Sequence, residues 1–235
     1  MRVTLNGIVS SDDDRLIYEW FGYRAFSPEQ VRDAIAQNPA GEDLVLEINS
    51  PGGSVFAGSE MYSILRSCSI PTRAEIQSLA ASAASYLCLG CDRVAISPVA
   101  QMMMHLPSTS TRGDRTEHQR SIGMLDATRE AILNAYELKA KGKTERAELR
   151  RMMSAETWLS AQDALDHGLV DEILGQEEGM PGPSSLVNAF GLPDINALRA
   201  AYARANPETD PQEAPEHTRA DWRDSARLTL EQNRF

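Results

Sequence analysis

Leu44-Val45-Leu46-Glu47-Ile48-Asn49-Ser50-Pro51-Gly52-Gly53 carries the change of structure on which the fold turns. Leu44–Asn49 is a short apolar run of strand type, and Ser50-Pro51-Gly52-Gly53 is a stop built from turn residues. A helix follows over about Phe56–Arg66, with Met61, Ile64 and Leu65 on one face, and then a second strand over Thr72–Gln77. Strand, helix and strand in this order predict a parallel pair joined by a right-handed crossover.

The same rhythm continues in both directions. Arg2–Val9 reads as a first strand. Ser27-Pro28-Glu29-Gln30 starts a helix, with Ser as N-cap, Pro at the first helical position and Gln three residues after the cap; it runs to about Gln37. Past Gln77 the pattern gives a helix over about Ala80–Leu89, then short strands over Asp92–Ser97 and Ala100–His105. A long amphipathic helix over Met124–Lys141 and a shorter one over Glu145–Met153 come next. Ser160–His167 is a capped helix closed by Gly168, and Leu169–Leu174 a last strand. Asp12-Asp13-Asp14 reads as a solvated turn between two strands. The expected class is α/β with a parallel sheet.

Composition narrows the function. The 235 residues are 42% hydrophobic, enough for a real core, so wholesale disorder is excluded. A net charge of −11 argues against nucleic acid or an anionic membrane as the main partner. No apolar run approaches the roughly 18 residues of a membrane span, and no secretory signal is visible at the N-terminus. Cys68, Cys88 and Cys91 are odd in number and form no disulfide framework, which points to a reducing cytoplasm. Composition shifts near Gly175. Residues 1–175 are expected to form the folded domain, and 176–235 a Pro-rich acidic linker and weakly ordered tail, with short helical patterns at 193–205 and 221–230.

Ligands of open parallel sheets gather beyond the carboxyl ends of the strands. Three such ends, at Asn49, Gln77 and about Met104, are followed by a Gly-Gly turn, a serine in a run of small residues, and a histidine. An exposed backbone, a hydroxyl and an imidazole are the parts for acyl transfer by a serine nucleophile. Ser82 is expected in the first turn of its helix, where unpaired N–H groups favour developing negative charge. The same alanine-serine run also suits a helix packed tightly on its sheet. Ser85 lies a turn deeper and is the weaker nucleophile. A histidine closing an apolar strand is usually structural, yet a serine needs a base. His118 sits in a solvated stretch, His167 in a last helical turn and His217 in the tail, so His105 is the base if there is one. Gly52 and Gly53 are either a plain turn or a donor of N–H groups to an oxyanion, on an edge able to pair with an extended peptide.

Ile48-Asn49-Ser50-Pro51-Gly52-Gly53, Ala80-Ala81-Ser82-Ala83 and Met103-Met104-His105-Leu106-Pro107, in that order, resemble the ClpP family of serine peptidases over about Val3 to Leu174. The resemblance implies a ClpP/crotonase-like spiral of parallel βαβ units with a protruding handle helix, here Met124–Lys141. It implies a serine-type endopeptidase with a Ser-His-acid triad, no metal and no cofactor, working inside a homo-oligomeric ring, a heptamer or stacked heptamers. Ser82 matches the nucleophile, His105 the base, and the N–H groups of Gly53 and Ala83 the oxyanion hole. Glu156, in Glu156-Thr157-Trp158-Leu159-Ser160-Ala161, falls where most members have aspartate, and Asp166 and Asp171 are the substitutes for it. A start close to the first strand, the Pro-rich tail and the Glu-Thr-Trp signature resemble the phage-type branch of head-maturation proteases. In that role the substrates are scaffold and capsid proteins, and no ATPase is required.

Other chemistries are weighed on their own residues. Cys88-Leu89-Gly90-Cys91 has metal-site spacing but no second pair of ligands nearby, so the thiols read as structural. A Ser–Lys enzyme would have only Lys139, Lys141 and Lys143 to draw on. A crotonase-like acyl-CoA enzyme shares the fold without needing Ser82 or His105, and an inactive structural pseudoprotease is the non-enzymatic alternative.

Overall fold

The computed structural model describes residues 1–175. The expected linker and tail over 176–235, with its two helical patterns, lies outside the described residues.

The elements are β1 (Arg2–Val9), α1 (Asp12–Trp20), β2 (Ala25–Phe26), α2 (Pro28–Gln37), β3 (Leu44–Gly53), α3 (Val55–Arg66), β4 (Thr72–Ala81), α4 (Ala83–Leu87, prolonged by one tighter turn over Cys88–Gly90), β5 (Arg93–Ile96), β6 (Gln101–Met104), α5 (Arg115–Ala140), α6 (Arg146–Ser154), β7 (Thr157–Ser160), α7 (Ala161–Asp166) and β8 (Glu172–Ile173). The strands form one sheet in the order β2-β1-β3-β4-β5-β8, with β6 pairing β4 and β7. Every pairing is parallel except β6 with β7.

β4 is the hinge of this topology because its two halves have different neighbours on one side. Arg73–Ile76 pairs with Arg93–Ile96 of β5, and Leu79–Ala81 with Gln101–Met103 of β6. This corrects the expected helix over Ala80–Leu89: the alanines, though good helix formers, are held in a ladder, and tertiary pairing overrides propensity. β3 likewise runs on through Pro51-Gly52-Gly53 instead of stopping at Asn49. Leu44, Leu46, Ile48, Ser50 and Gly52 are its buried positions, alternating as a strand face should. Ser50 is buried, and its Oγ accepts the N–H of Gly52 at 3.1 Å.

α2 begins where expected, with the capping box of Ser27 and Gln30. α1 replaces the expected acidic turn. Ser11 caps it, accepting the N–H of Asp14, and Asp12, Asp13 and Asp14 fill the first turn, where carboxylates favour the positive helix end. α5 starts well before Met124, at an Asp114 cap that accepts the N–H groups of Thr116 and Glu117. Its buried residues, Ile132 to Ala140, all lie in its second half. That half is clamped to α6 by Glu130, which accepts from Arg129, Arg146 and Arg150 at about 3 Å. Hydrogen bonds from Arg146 and then Arg129 hold the Glu130 carboxyl down to about 2. β7 is a short antiparallel partner of β6 that the sequence reading does not anticipate. Among the described residues no helix is long and apolar enough to cross a membrane.

Candidate active site

β4 ends at Ala81, and the chain turns sharply at Ser82 before α4 begins at Ala83. Ser82 has φ 52° and ψ −122°, a backbone region that costs a non-glycine residue on the order of 1–3 kcal/mol. It is the residue before the helix rather than one of its first turn. Its surroundings hold it there. The Ser82 N–H donates to Met103 O of β6 at 2.9 Å, and its carbonyl accepts the Ser85 N–H at 3.0 Å and the Ser85 hydroxyl at 2.6 Å. Ser85 Oγ also meets the Tyr136 hydroxyl at 2.5 Å, with both side chains wholly buried. Burial pushes the Tyr136 phenol far up, so it is a neutral anchor for this turn.

His105 follows the last residue of β6. Its Nε2 lies 2.7 Å from Ser82 Oγ, a hydrogen bond between two half-buried side chains. β4 and β6 pair as far as Ala81 and Met103, so the serine and the histidine leave adjacent strand ends together. Gly52 packs directly behind the serine: a Cβ there would lie 2.6 Å from Ser82 Cβ. Gly53 is exposed and aligned with Val9 of β1. The Ala83 N–H stands at the first helical position, without an acceptor inside its helix. A recess of about 60 Å³ opens over Gly53, Ser82 and His105, backed by Tyr86, Ile132 and Tyr136.

The three acidic residues stand differently. Thr157, the first residue of β7, pairs with Met104, the last of β6, so Glu156 and His105 each stand one residue outside the paired segments. Glu156 is exposed at φ 50°, where the chain turns into β7, and among the described residues its carboxylate has no hydrogen bond to the imidazole. Asp171 is engaged elsewhere, accepting the Val94 N–H at 2.7 Å and Lys139 Nζ at 2.5 Å. Asp166 accepts from Gln162 on its own helix. The Lys139 ammonium is thus buried in an ion pair with Asp171, away from Ser82. Cys88 and Cys91 are buried free thiols, Cys88 pushed up to about 12 by desolvation, and no metal-binding cluster exists among the described residues.

Tyr136, the packing of Gly52 and the Ser82 backbone are features the sequence reading does not single out. Only the Gly-Gly pair hinted at one of them, since a glycine within a strand often marks close approach of another segment.

A family model described as Clp protease matches residues 34–177, more than half of the chain. The ATP-dependent Clp protease proteolytic subunit 1 of Chlamydia abortus is 35% identical over 144 residues, 58% of this chain and 72% of that protein. The subunit 1 of Protochlamydia amoebophila is 30% identical over 142 residues, 59% and 68% respectively. The ATP-dependent Clp protease proteolytic subunit 2 of Thermobifida fusca is 31% identical over 174 residues, 68% and 84%.

Proposed function

The chain belongs to the Clp protease family, and from that premise we propose that it is a serine endopeptidase of ClpP type. The observation that carries this is the 2.7 Å contact between Ser82 Oγ and His105 Nε2 at a strained, half-open strand end. In this mechanism His105 takes the Ser82 proton as Oγ attacks a peptide carbonyl. The tetrahedral oxyanion is received by the N–H groups of Gly53 and Ala83. The imidazolium then protonates the leaving amine, and water releases the acyl group by the reverse path. Glu156 takes the orienting and charge-stabilising role in this proposal, which its place next to Thr157, the β7 partner of Met104, supports. Its rivals Asp166 and Asp171 are already occupied. A crotonase-type reaction would give no reason for the serine–imidazole contact.

The substrates in this proposal are polypeptides. Like copies of the chain form a ring in a reducing cytoplasm, with α5 as the handle that joins rings. A finer role, head maturation on scaffold or capsid proteins without an ATPase, rests on the Glu156-Thr157-Trp158 signature and the Pro-rich segment after residue 175. The relatives named above are bacterial Clp subunits, so digestion of purified scaffold without nucleotide is the measurement for that role.

A fluorophosphonate probe tests the core of the proposal. Ser82 is expected to be labelled, labelling to vanish in Ser82→Ala and to fall sharply in His105→Ala. An intact protein with an unlabelled Ser82 would overturn it.

A further inference from the structure

A second cleft, of about 340 Å³, opens beside the catalytic recess, and the two share walls at Gly53, Val55, Pro107 and Ser108. Its lining is largely apolar, with Val9, Tyr18, Phe56, Met124 and Leu125 among its walls. One charged residue lines it: Asp14, in the first turn of α1. The Asp14 carboxylate accepts the Ser11 hydroxyl at 2.8 Å and has no cationic partner among the described residues. Of the acids beside it, Asp12 faces Arg32, and Asp13, which has no salt bridge among the described residues either, does not line the cleft.

We propose that this cleft is a subsite for a lysine or arginine side chain of the peptide substrate, recognised by Asp14. The inference rests on the peptidase proposal above and adds a substrate class to it. A basic side chain has an aliphatic stem that suits the apolar flanks and a charged head that reaches the carboxylate. Tyr18 also lines the cleft, and an aromatic ring near a cationic head adds to its attraction. A purely apolar side chain of the same length would cover Asp14 without giving it a partner. The net charge of −11 draws cationic peptides toward the chain before any contact is made.

Two readouts test the subsite. A mixed peptide library digested by the wild-type protein and read by mass spectrometry should show Lys or Arg enriched at one fixed position near the cut. Asp14→Asn, which keeps the hydrogen bond to Ser11, should erase most of that enrichment, and Asp14→Arg should turn it toward Asp or Glu. Second, fluorescent peptides bound without turnover by Ser82→Ala should bind about 10-fold more tightly with Arg than with Met at that position, a preference lost in Ser82→Ala/Asp14→Asn. Cleavage without basic preference, or a preference that survives Asp14→Arg, overturns the subsite and leaves the peptidase intact. Loss of all cleavage and probe labelling, with the Arg-over-Met binding preference still dependent on Asp14, sinks the peptidase and keeps the subsite. Equal binding of both peptides to Ser82→Ala overturns the subsite in either case.

Discussion

Replacing Gly52 by alanine asks how firmly Ser82, the proposed nucleophile, is held. The new methyl carbon would lie 2.6 Å from Ser82 Cβ, 2.7 Å from Ala81 O and 3.0 Å from Ala83 N. Non-bonded carbons rest at about 3.5–4.0 Å, so Ser82 or β3 must yield by about 1 Å. A shift of that size in a reacting group costs on the order of 100-fold in rate. The backbone adds its own penalty, since Gly52 has φ +95° and an L residue there loses about 1–2 kcal/mol. Gly41→Ala separates the two effects: Gly41 has φ +82°, but a Cβ there meets nothing within 4 Å. Both variants are expected to melt lower. Only Gly52→Ala should be labelled by a fluorophosphonate about 100-fold more slowly. A folded Gly52→Ala labelled at the wild-type rate would refute the idea that this glycine sets the serine's position.

Two further outcomes are expected. Glu156→Gln should lower kcat by at least about 10-fold with little change in KM, because an orienting carboxylate acts on the imidazolium formed in the transition state; steady-state kinetics on a peptide substrate checks this, and an unchanged kcat would remove Glu156 from the mechanism. The second outcome concerns acid. Burial alone would raise the Glu75 carboxyl, but hydrogen bonds from Arg2 and Arg73 outweigh it and leave it below its ordinary value. A carboxyl depressed by folding stabilises the native state above its unfolded value near 4.3 and loses that contribution as pH falls through the folded value. Denaturant melts between pH 6 and pH 3 should therefore show stability falling below about pH 4, with a shallower fall in Glu75→Gln; equal slopes would place the acid sensitivity elsewhere.

What the sequence made legible is what local chemistry decides. Ser27-Pro28 fixes the start of α2 to the residue, and Leu44 and Thr72 open β3 and β4 where the apolar runs begin. Non-local choices were hidden. Leu79–Ala81 is strand only because β6 lies alongside, and Thr157–Ser160 is strand only as β6's antiparallel partner. α1 had a readable signal, Ser11 followed by three acids and then Leu16, Ile17 and Trp20, but those apolar residues stay exposed and add nothing to the core. In the site, the ordering of strand ends brought Ser82 and His105 to one edge in prospect, and the 2.7 Å contact is where they meet. The left-handed turn at Ser82 and the Tyr136 anchor depend on packing and left no mark in the local pattern. The choice among Glu156, Asp166 and Asp171 could not be made from spacing, because what separates them is which acid is already bonded to something else.

The Ser82 N–H bonded to Met103 O joins the main chain of the proposed nucleophile to the strand that ends just before His105. A slip of one residue between β4 and β6 would turn their side chains to opposite faces and part the pair altogether. On the proposed mechanism a molecule threaded in that way would lack its serine–imidazole pair. The serine–imidazole contact is thus a property of the sheet's threading as much as of the two side chains.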